Sequence, residues 1–175
     1  MQSFDMMQNL FDWVTTQKGG LEPRKVEIDV SGLIQSIIKL FSSEAKKKNI
    51  DLSLKSEAEL KLFSDIDMLN TVLRNLVSNA LKFTKNDGEI KISYSKQDNI
   101  VQFDVEDNGI GIPEEKLEAV FDAHRNRSTK GTNNEKGTGL GLVLCKEFTD
   151  ILGGKIWVKS TVGEGSCFSF SIPAE

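Results

Sequence analysis

The 175-residue chain has the length of one domain, and a folded chain of this size buries about two-thirds of the surface that it exposes when unfolded. Hydrophobic residues make up 38% and charged residues 27% of the chain, and these values exclude an intrinsically disordered composition. The net charge of −4 provides no overall basic surface for nucleic acid, so an anionic ligand would need a local positive site.

The first predicted element is a helix over residues 3–17, which ends before Gly19, Gly20 and Pro23. Its apolar residues recur at helical spacing, and they are Phe4, Met7, Leu10, Phe11 and Val14. Since no nearby segment offers this stripe a packing surface, we interpret it as the end of a longer helix from another domain.

Alternation over residues 25–30 predicts a strand, and Ser31 is then expected to cap a helix. That helix ends in the basic run 46–48, which we interpret as charges that complement the helix dipole. Two more short strands are predicted over 50–54 and 60–63, before a second helix over about 65–83.

After a turn at residues 86–88, the sequence predicts strands at 89–95 and 100–107 and a short helix that begins at Pro113. A polar loop at 122–138 and a helix at 140–152 follow. The last predicted element is a hairpin of strands 155–160 and 166–172. The polar loop lacks periodicity, and we expect it to be mobile. Helices mixed with mainly hairpin-connected strands predict an α/β (α+β) fold. The expected architecture is a two-layer sandwich whose mixed, largely antiparallel sheet is backed by helices.

Three polar residues share one face of the second helix. Asn75, Asn79 and Lys82 are four and three residues apart, whereas the rest of the circumference is apolar. Such a stripe faces either solvent or a pocket whose ligand satisfies it. A neutral amide oxygen suits a hard cation such as Mg²⁺, and a lysine one turn further on suits a phosphate.

An acidic residue ends the strand over 100–107 on its inward side. Val101, Phe103 and Val105 alternate toward the core, and Asp107 has the same parity. A carboxylate there requires a hydrogen-bond donor, and the exocyclic amine of adenine is a suitable one. Gly109 and Gly111 follow, and glycine permits a close backbone approach and a positive φ.

A third segment, residues 137–142, places three glycines at the start of a helix. Exposed backbone N–H groups and the helix dipole favour an anion there. The segment is not the dinucleotide-binding fingerprint, because it follows a polar loop rather than a strand. It is not a P-loop either, because the glycines lack a following Lys-Ser or Lys-Thr.

In this order, the three segments resemble the N box, G1 box and G2 box of the ATP-binding catalytic domain of sensor histidine kinases, within the GHKL superfamily. Phe121 resembles the start of the family's F box, and residues 128–132 with 137–139 resemble the lid of hybrid two-component sensors. The resemblance implies a Bergerat-type fold that binds ATP and Mg²⁺. The domain would transfer the γ-phosphoryl group to a histidine on a separate dimerisation domain.

The resemblance also implies roles for individual residues. Asn79 would ligate Mg²⁺, with Asn75 beside the phosphates, and these two residues with Lys82 would form the catalytic set. Phe83 would lie against adenine, and Asp107 would accept from its amine. The remaining ATP-binding positions are Gly109, Gly111, Ile112, Thr129, Lys130, Gly137, Thr138, Gly139, Leu140, Gly141 and Leu142.

Two departures from the family pattern matter. The F-box region has Ala123 and His124 after Phe121 and Asp122, so either Arg125 or Arg127 would face the phosphates. His124 is the only histidine, and it lacks the flanking residues of a family phosphoacceptor. Residues 6–13 resemble the tail of the second helix of the family's dimerisation domain. We therefore expect residues 1–20 to be the remnant of that domain and 21–175 to be the catalytic domain, with the phosphoacceptor absent.

Three alternative functions remain. ATPases of the gyrase, heat-shock chaperone and mismatch-repair branch carry a Glu where this chain has Asn75, and so do serine kinases of the anti-sigma type. An amide is a poor base for water, which favours transfer over hydrolysis. The third alternative is a binding module that senses nucleotide without chemistry.

The expected partners are the histidine-bearing dimerisation domain, a response-regulator receiver domain, and a second copy of the full-length kinase. No nucleic acid or direct membrane contact is expected for this domain. The sequence has no run of roughly 18 apolar residues and no signal-peptide pattern, which predicts a cytoplasmic domain. The resemblance suggests a membrane-anchored bacterial sensor as the parent.

Overall fold

The computed structural model describes residues 22–56, 58–122, 131–133, 135 and 139–175. Within these residues, seven strands are β1 (Lys25–Asp29), β2 (Asp51–Leu54), β3 (Lys61–Asp65), β4 (Glu89–Gln97), β5 (Ile100–Asp107), β6 (Lys155–Thr161) and β7 (Gly165–Pro173). Four helices are α1 (Val30–Lys47), α2 (Ile66–Phe83), α3 (Glu114–Leu117) and α4 (Gly141–Ile151). The elements predicted from residue 25 onward are present, with ends that differ by a few residues, and the helix predicted over 3–17 lies outside the described residues.

The main sheet has five strands in the order β2-β4-β5-β7-β6. β2 pairs with β4 in parallel, and the other three pairings are antiparallel. β5 lies in the centre, where Asp107 pairs with Ile90 on one side and with Ser166 on the other. The end of β5 that carries Asp107 is therefore held on both sides.

One face of this sheet packs against α1, α2 and α4. The inward side chains of β4, β5 and β7 are nearly all buried, and the Phe103 and Phe170 rings stack with centroids 4.8 Å apart. The apolar side of α2 fills the centre of the core, with Leu69, Leu73 and Leu76 fully buried. The predicted two-layer sandwich is confirmed.

A second, two-stranded sheet pairs β1 with β3 and was not predicted. Asp65 ends β3 and caps α2, because its carboxylate accepts from the amides of Asp67 and Met68, each at 3.0 Å. The same carboxylate accepts from the Arg24 amide at 2.7 Å. This residue therefore fixes the start of α2, the helix that carries the polar stripe, relative to β1.

The predicted Ser31 cap is wrong. α1 begins at Val30, and its N-cap is Asp29, two residues before Ser31, with no side-chain capping hydrogen bond. The Val30 amide instead donates to the Leu60 carbonyl at 3.1 Å, so a tertiary contact replaces the local cap. Of the described helices, none is long and apolar enough to cross a membrane.

Candidate functional site

The polar stripe of α2 lies at the boundary between core and surface. Asn75, Asn79 and Lys82 are half-buried, whereas the neighbouring apolar positions of the helix are buried. The Asn75 amide donates to the Thr71 carbonyl at 2.9 Å, which fixes its orientation. Because no hydrogen bond joins the Asn79 side chain to any described residue, its amide oxygen is available to a ligand.

The start of α4 lies directly against this stripe. A Cβ added to Gly141 would come within 2.7 Å of the Asn75 amide oxygen, so only glycine fits there without moving that side chain. Gly139 has a φ of +77°, a conformation that glycine adopts readily. Leu140 is the N-cap, and the Leu142 side chain packs on the core. The helix N-terminus and the amide stripe thus lie directly against each other.

Lys82 completes the stripe near the end of α2. Its ammonium lies 4.6 Å from the centroid of the Phe83 ring. Burial lowers the pKa of Lys82, and the nearby Glu135 carboxylate opposes that shift. A partly desolvated ammonium interacts more strongly with an anion than one in bulk water.

Asp107 is the buried acid of the site. Its residue exposure is only 6%, and the Gly109 amide donates to its carboxylate at 2.9 Å. Burial raises the pKa of Asp107 to about 6, and the Gly109 and Ser166 backbone amides oppose the shift. The inward orientation predicted from the strand parity is confirmed. A buried carboxylate with a raised pKa is typical of a functional site.

The glycines after Asp107 bring this loop against the end of α2. A Cβ on Gly109 would lie 2.4 Å from the Phe83 carbonyl oxygen, and the Ile110 amide donates to the same oxygen at 3.2 Å. Phe83, at one end of the polar stripe, and Asp107 are therefore adjacent although 24 residues separate them. The helix α2 therefore carries the first predicted segment and contacts the other two.

The hairpin of β6 and β7 supports the Asp107 loop, a contact that sequence reasoning missed. The Ile112 amide donates to the Ser160 hydroxyl at 2.8 Å, and the Gly163 amide donates to the Ile110 carbonyl at 2.9 Å. Gly111 has a φ of +70°, and a Cβ there would lie 2.1 Å from the Thr161 carbonyl oxygen. A single serine in a polar strand gives no sequence signal for this role.

Lys48 was also missed. The basic run that it ends was interpreted only as charge that complements the helix dipole, and this interpretation did not predict that Lys48 is buried, with an exposure of 4%. Its ammonium contacts the Leu81 carbonyl at 2.6 Å, Thr132 Oγ1 at 2.7 Å and Glu135 Oε1 at 3.1 Å. These acceptors lie at least 33 residues away in sequence, so no local pattern could indicate them.

Several predicted positions lie outside the described residues. They are residues 1–20 and the site positions Thr129, Lys130, Gly137 and Thr138, together with His124, Arg125 and Arg127. Of the polar loop predicted over 122–138, the described part beyond Asp122 comprises Gly131–Asn133 and Glu135.

Comparison with known proteins identifies the family. The family model described as "Histidine kinase-, DNA gyrase B-, and HSP90-like ATPase" matches residues 64–175, which is well over half of the chain. The chain therefore belongs to this family. The match begins one residue before the Asp65 cap and includes all the predicted site residues.

Among known sequences, the chain resembles sensor kinases. It is 31% identical to hybrid signal transduction histidine kinase B of Dictyostelium discoideum over 97% of this chain and 9% of that protein. It is 34% identical to the adaptive-response sensory kinase SasA of Crocosphaera subtropica over 87% of this chain and 40% of that protein. The chain thus spans less than half the length of each of these relatives.

Among solved structures, the catalytic domain of histidine kinase ThkA matches with a TM-score of 0.76 and 35% identity, over 86% of this chain and 96% of that one. Full-length ShkA in complex with AMPPNP matches with a TM-score of 0.86 and 25% identity, over 98% of this chain and 36% of that one. ThkA in complex with the response regulator TrrA matches with a TM-score of 0.76 and 28% identity, over 99% of this chain and 49% of that one. The fold is that of histidine kinase catalytic domains.

Proposed function

We propose that this chain is the ATP-binding catalytic domain of a sensor histidine kinase. The observation that carries the proposal is the convergence on α2 of a buried carboxylate, Asp107, and a half-buried stripe of two amides and a lysine. ShkA, a structural relative, was solved with an ATP analogue. The domain would present ATP so that its γ-phosphoryl group is transferred to a histidine outside this chain.

Asp107 would recognise adenine. Its carboxylate is buried and has no cationic partner among the described residues that contact it, so the exocyclic amine would add a donor to the backbone amides that it already accepts from. Gly109, Gly111 and Ile112 would form the adjoining wall, and Phe83 would contact the base. Guanine presents a carbonyl oxygen at the same position, which a carboxylate would repel.

The phosphates would lie between the α2 stripe and the start of α4. The Gly141 and Leu142 amides, at a helix N-terminus, and the Lys82 ammonium would neutralise their charge. Gly139 and Leu140 shape this end of the helix. By the family resemblance, Gly137, Thr138, Thr129 and Lys130 would contribute to the same surface.

Asn79 would hold Mg²⁺ together with the phosphates. The described residues contain no cluster of three His, Cys, Asp or Glu that could hold a metal ion. Mg²⁺ commonly takes few protein ligands and keeps water and phosphate oxygens, so one amide oxygen fits this site. The bound ion would offset negative charge on the phosphates.

Transfer, rather than hydrolysis, would be the reaction. The bond from γ-phosphorus to the β–γ bridging oxygen breaks, a bond to an imidazole nitrogen forms, and ADP leaves with the negative charge. Positioning and charge neutralisation supply most of the catalysis in such a reaction. Asn75 is not basic, and its amide nitrogen is engaged with Thr71, so it would not activate water.

The partners follow from the family. We propose a dimerisation domain that carries the acceptor histidine, within a homodimeric parent kinase, and a receiver domain that takes the phosphoryl group on an aspartate. ThkA was solved with its response regulator, which supports the second partner. We propose residues 1–20 as the dimerisation-domain remnant, 21–175 as the catalytic domain, a cytoplasmic site of action, and a membrane-anchored bacterial parent.

Calorimetric titration with ATP, with and without Mg²⁺, tests this function. Wild-type protein should bind ATP, and Mg²⁺ should strengthen binding. In Asn79→Ala the effect of Mg²⁺ should disappear, whereas Ser78→Ala, at the exposed neighbouring position, should behave like wild type. Absence of ATP binding by wild type, or an undiminished Mg²⁺ effect in Asn79→Ala, would contradict the proposal.

A further inference from the structure

The C-terminal end of α2 receives hydrogen bonds from three separate parts of the chain. The last carbonyls of a helix have no partners within the helix. Here the Leu81 carbonyl accepts from Lys48 at 2.6 Å, the Lys82 carbonyl from the Thr132 amide at 3.0 Å, and the Phe83 carbonyl from the Ile110 amide at 3.2 Å. This end of the helix, which presents Lys82 and Phe83, is therefore positioned by distant residues.

Lys48 is the charged centre of these contacts. Beyond the Leu81 carbonyl, its ammonium contacts Thr132 Oγ1 at 2.7 Å, Glu135 Oε1 at 3.1 Å, and more distantly the Lys82 carbonyl at 3.4 Å. A buried ammonium needs such partners, since desolvation without them is strongly unfavourable. The residue therefore connects the end of α1, the end of α2, Thr132 and Glu135.

Residues 131–133 and Glu135 are held at the same place. The Thr132 hydroxyl donates to the Thr84 carbonyl at 2.9 Å, and the Asn133 amide donates to Glu135 Oε2 at 2.7 Å. A Cβ on Gly131 would lie 2.5 Å from Lys82 Cγ, so this residue lies directly on the stem of Lys82.

Glu135 therefore interacts electrostatically with two lysines, Lys48 and Lys82. One of its oxygens pairs with Lys48, and its negative charge also raises the pKa of Lys82 against the effect of burial. Burial alone would raise the pKa of Glu135, but backbone hydrogen bonds and Lys48 hold it below its ordinary value. If Lys48 were absent, the ionised Glu135 carboxylate would have no neutralising partner there, and its electrostatic interaction with Lys82 would be stronger.

We propose that Lys48 is a positioning residue, which neutralises Glu135 and holds its carboxylate on the end of α2, so that this carboxylate does not compete with the nucleotide phosphates for Lys82. The inference rests on the proposed ATP function. It assigns to the cluster of Lys48, Thr132 and Glu135 the task of keeping a carboxylate from competing with phosphate for one ammonium.

Binding of ATP and of adenosine to Lys48→Met and Glu135→Gln separates this role from a general structural one. Lys48→Met should weaken Mg-ATP binding by about tenfold or more, the size expected for an uncompensated charge near a charged ligand. Adenosine, which lacks phosphates, should be affected by less than about threefold. Lys47→Met, at the exposed preceding position, is the matched control and should bind both ligands like wild type.

The double variant gives the decisive comparison. Because Glu135→Gln removes the unpaired charge, Lys48→Met/Glu135→Gln should recover ATP affinity to within about threefold of Glu135→Gln alone. A Lys48 that only stabilises the fold would weaken ATP and adenosine equally and would not be rescued. Either of those results would overturn the inference.

Amide exchange in the nucleotide-free protein tests the anchoring separately from ATP binding. The Thr132 amide should exchange about tenfold faster in Lys48→Met than in Lys47→Met, because a local opening becomes easier. Equal exchange would overturn the inference while leaving the proposed function intact. A wild type that binds no ATP would instead contradict the proposed function, and the phosphate role of Lys48 with it.

Discussion

Asp107 is the residue on which nucleotide selectivity depends in this account. Asp107→Asn should weaken ATP binding by about 1–3 kcal/mol, because a charge-assisted hydrogen bond to the adenine amine is damaged. Glu106→Gln is the matched control, since Glu106 is the exposed neighbour on the opposite side of the strand. Titration with ATP and GTP gives both affinities, and equal affinity of wild type for the two nucleotides would exclude this role.

The raised pKa of Asp107, about 6, predicts a pH dependence of binding. Affinity for adenosine should fall as the pH drops below about 6, because protonation removes the charged acceptor. Adenosine is the preferred probe, since a terminal phosphate group itself titrates near pH 6. Asp107→Asn should show no such step, and an identical step in both proteins would assign the titration to another group.

The same pKa shift has a consequence for stability. The folded-state pKa of Asp107 lies above the ordinary 3.8, so its contribution to stability is fully present below about pH 4 and is lost as the pH rises through about 6. At pH 7.5, Asp107→Asn should therefore raise the free energy of unfolding by up to about 3 kcal/mol. At pH 4 it should have little effect. Denaturant unfolding at the two pH values measures the difference.

Residues with a local signal were predictable, and those with distant partners were not. Strand parity alone placed Asp107 inward, and helical spacing placed Asn75, Asn79 and Lys82 on one face. Lys48 looked like any lysine at a helix end, because its acceptors are supplied by a helix end and a loop far along the chain.

At the scale of elements, the contact between α2 and α4 controls the amide stripe. Gly141→Ala would place its Cβ within 2.7 Å of the Asn75 amide oxygen and force that side chain to move. Binding of Mg-ATP should weaken by about tenfold, a cost of about 1.4 kcal/mol, with little loss of fold stability because the clash is with a flexible side chain. Calorimetry and thermal unfolding measure the two effects.

Gly32→Ala is the control for that variant. Its Cβ would also meet the end of a side chain, Asp29 Oδ2 at 2.5 Å, but on α1 and outside the proposed site. Its nucleotide affinity should equal that of wild type. Equal weakening in both variants would show that the Asn75 contact has no special role.

Elements with strong periodicity were predicted well, and long-range pairing was not. α2 and β5 lie within one residue of their predicted ends, because buried positions recur along each at a regular period. The pairing of β1 with β3 joins strands more than 30 residues apart, and neither strand indicates its partner. The predicted Ser31 cap is wrong because the Val30 amide donates to a tertiary acceptor, the Leu60 carbonyl.

At the scale of the whole molecule, the proposed function has the chain supply a nucleotide site but not the acceptor. The only histidine in the sequence is His124, which lies outside the described residues and lacks the flanking residues of a family phosphoacceptor. The chain spans less than half of its full-length relatives SasA and hybrid kinase B. We therefore expect phosphorylation of a separate domain rather than of the chain itself.

The most direct test is incubation with γ-labelled Mg-ATP, alone and together with a separately made dimerisation domain of the parent kinase. Label should appear only on the added domain, and Asn79→Ala or Lys82→Ala should reduce its rate of appearance by at least about a hundredfold, as expected when a group that positions or neutralises the phosphates is removed. Ser78→Ala should label the domain at the wild-type rate. Acid-labile label on the chain alone, lost in His124→Ala, or undiminished transfer by Asn79→Ala, would contradict the account.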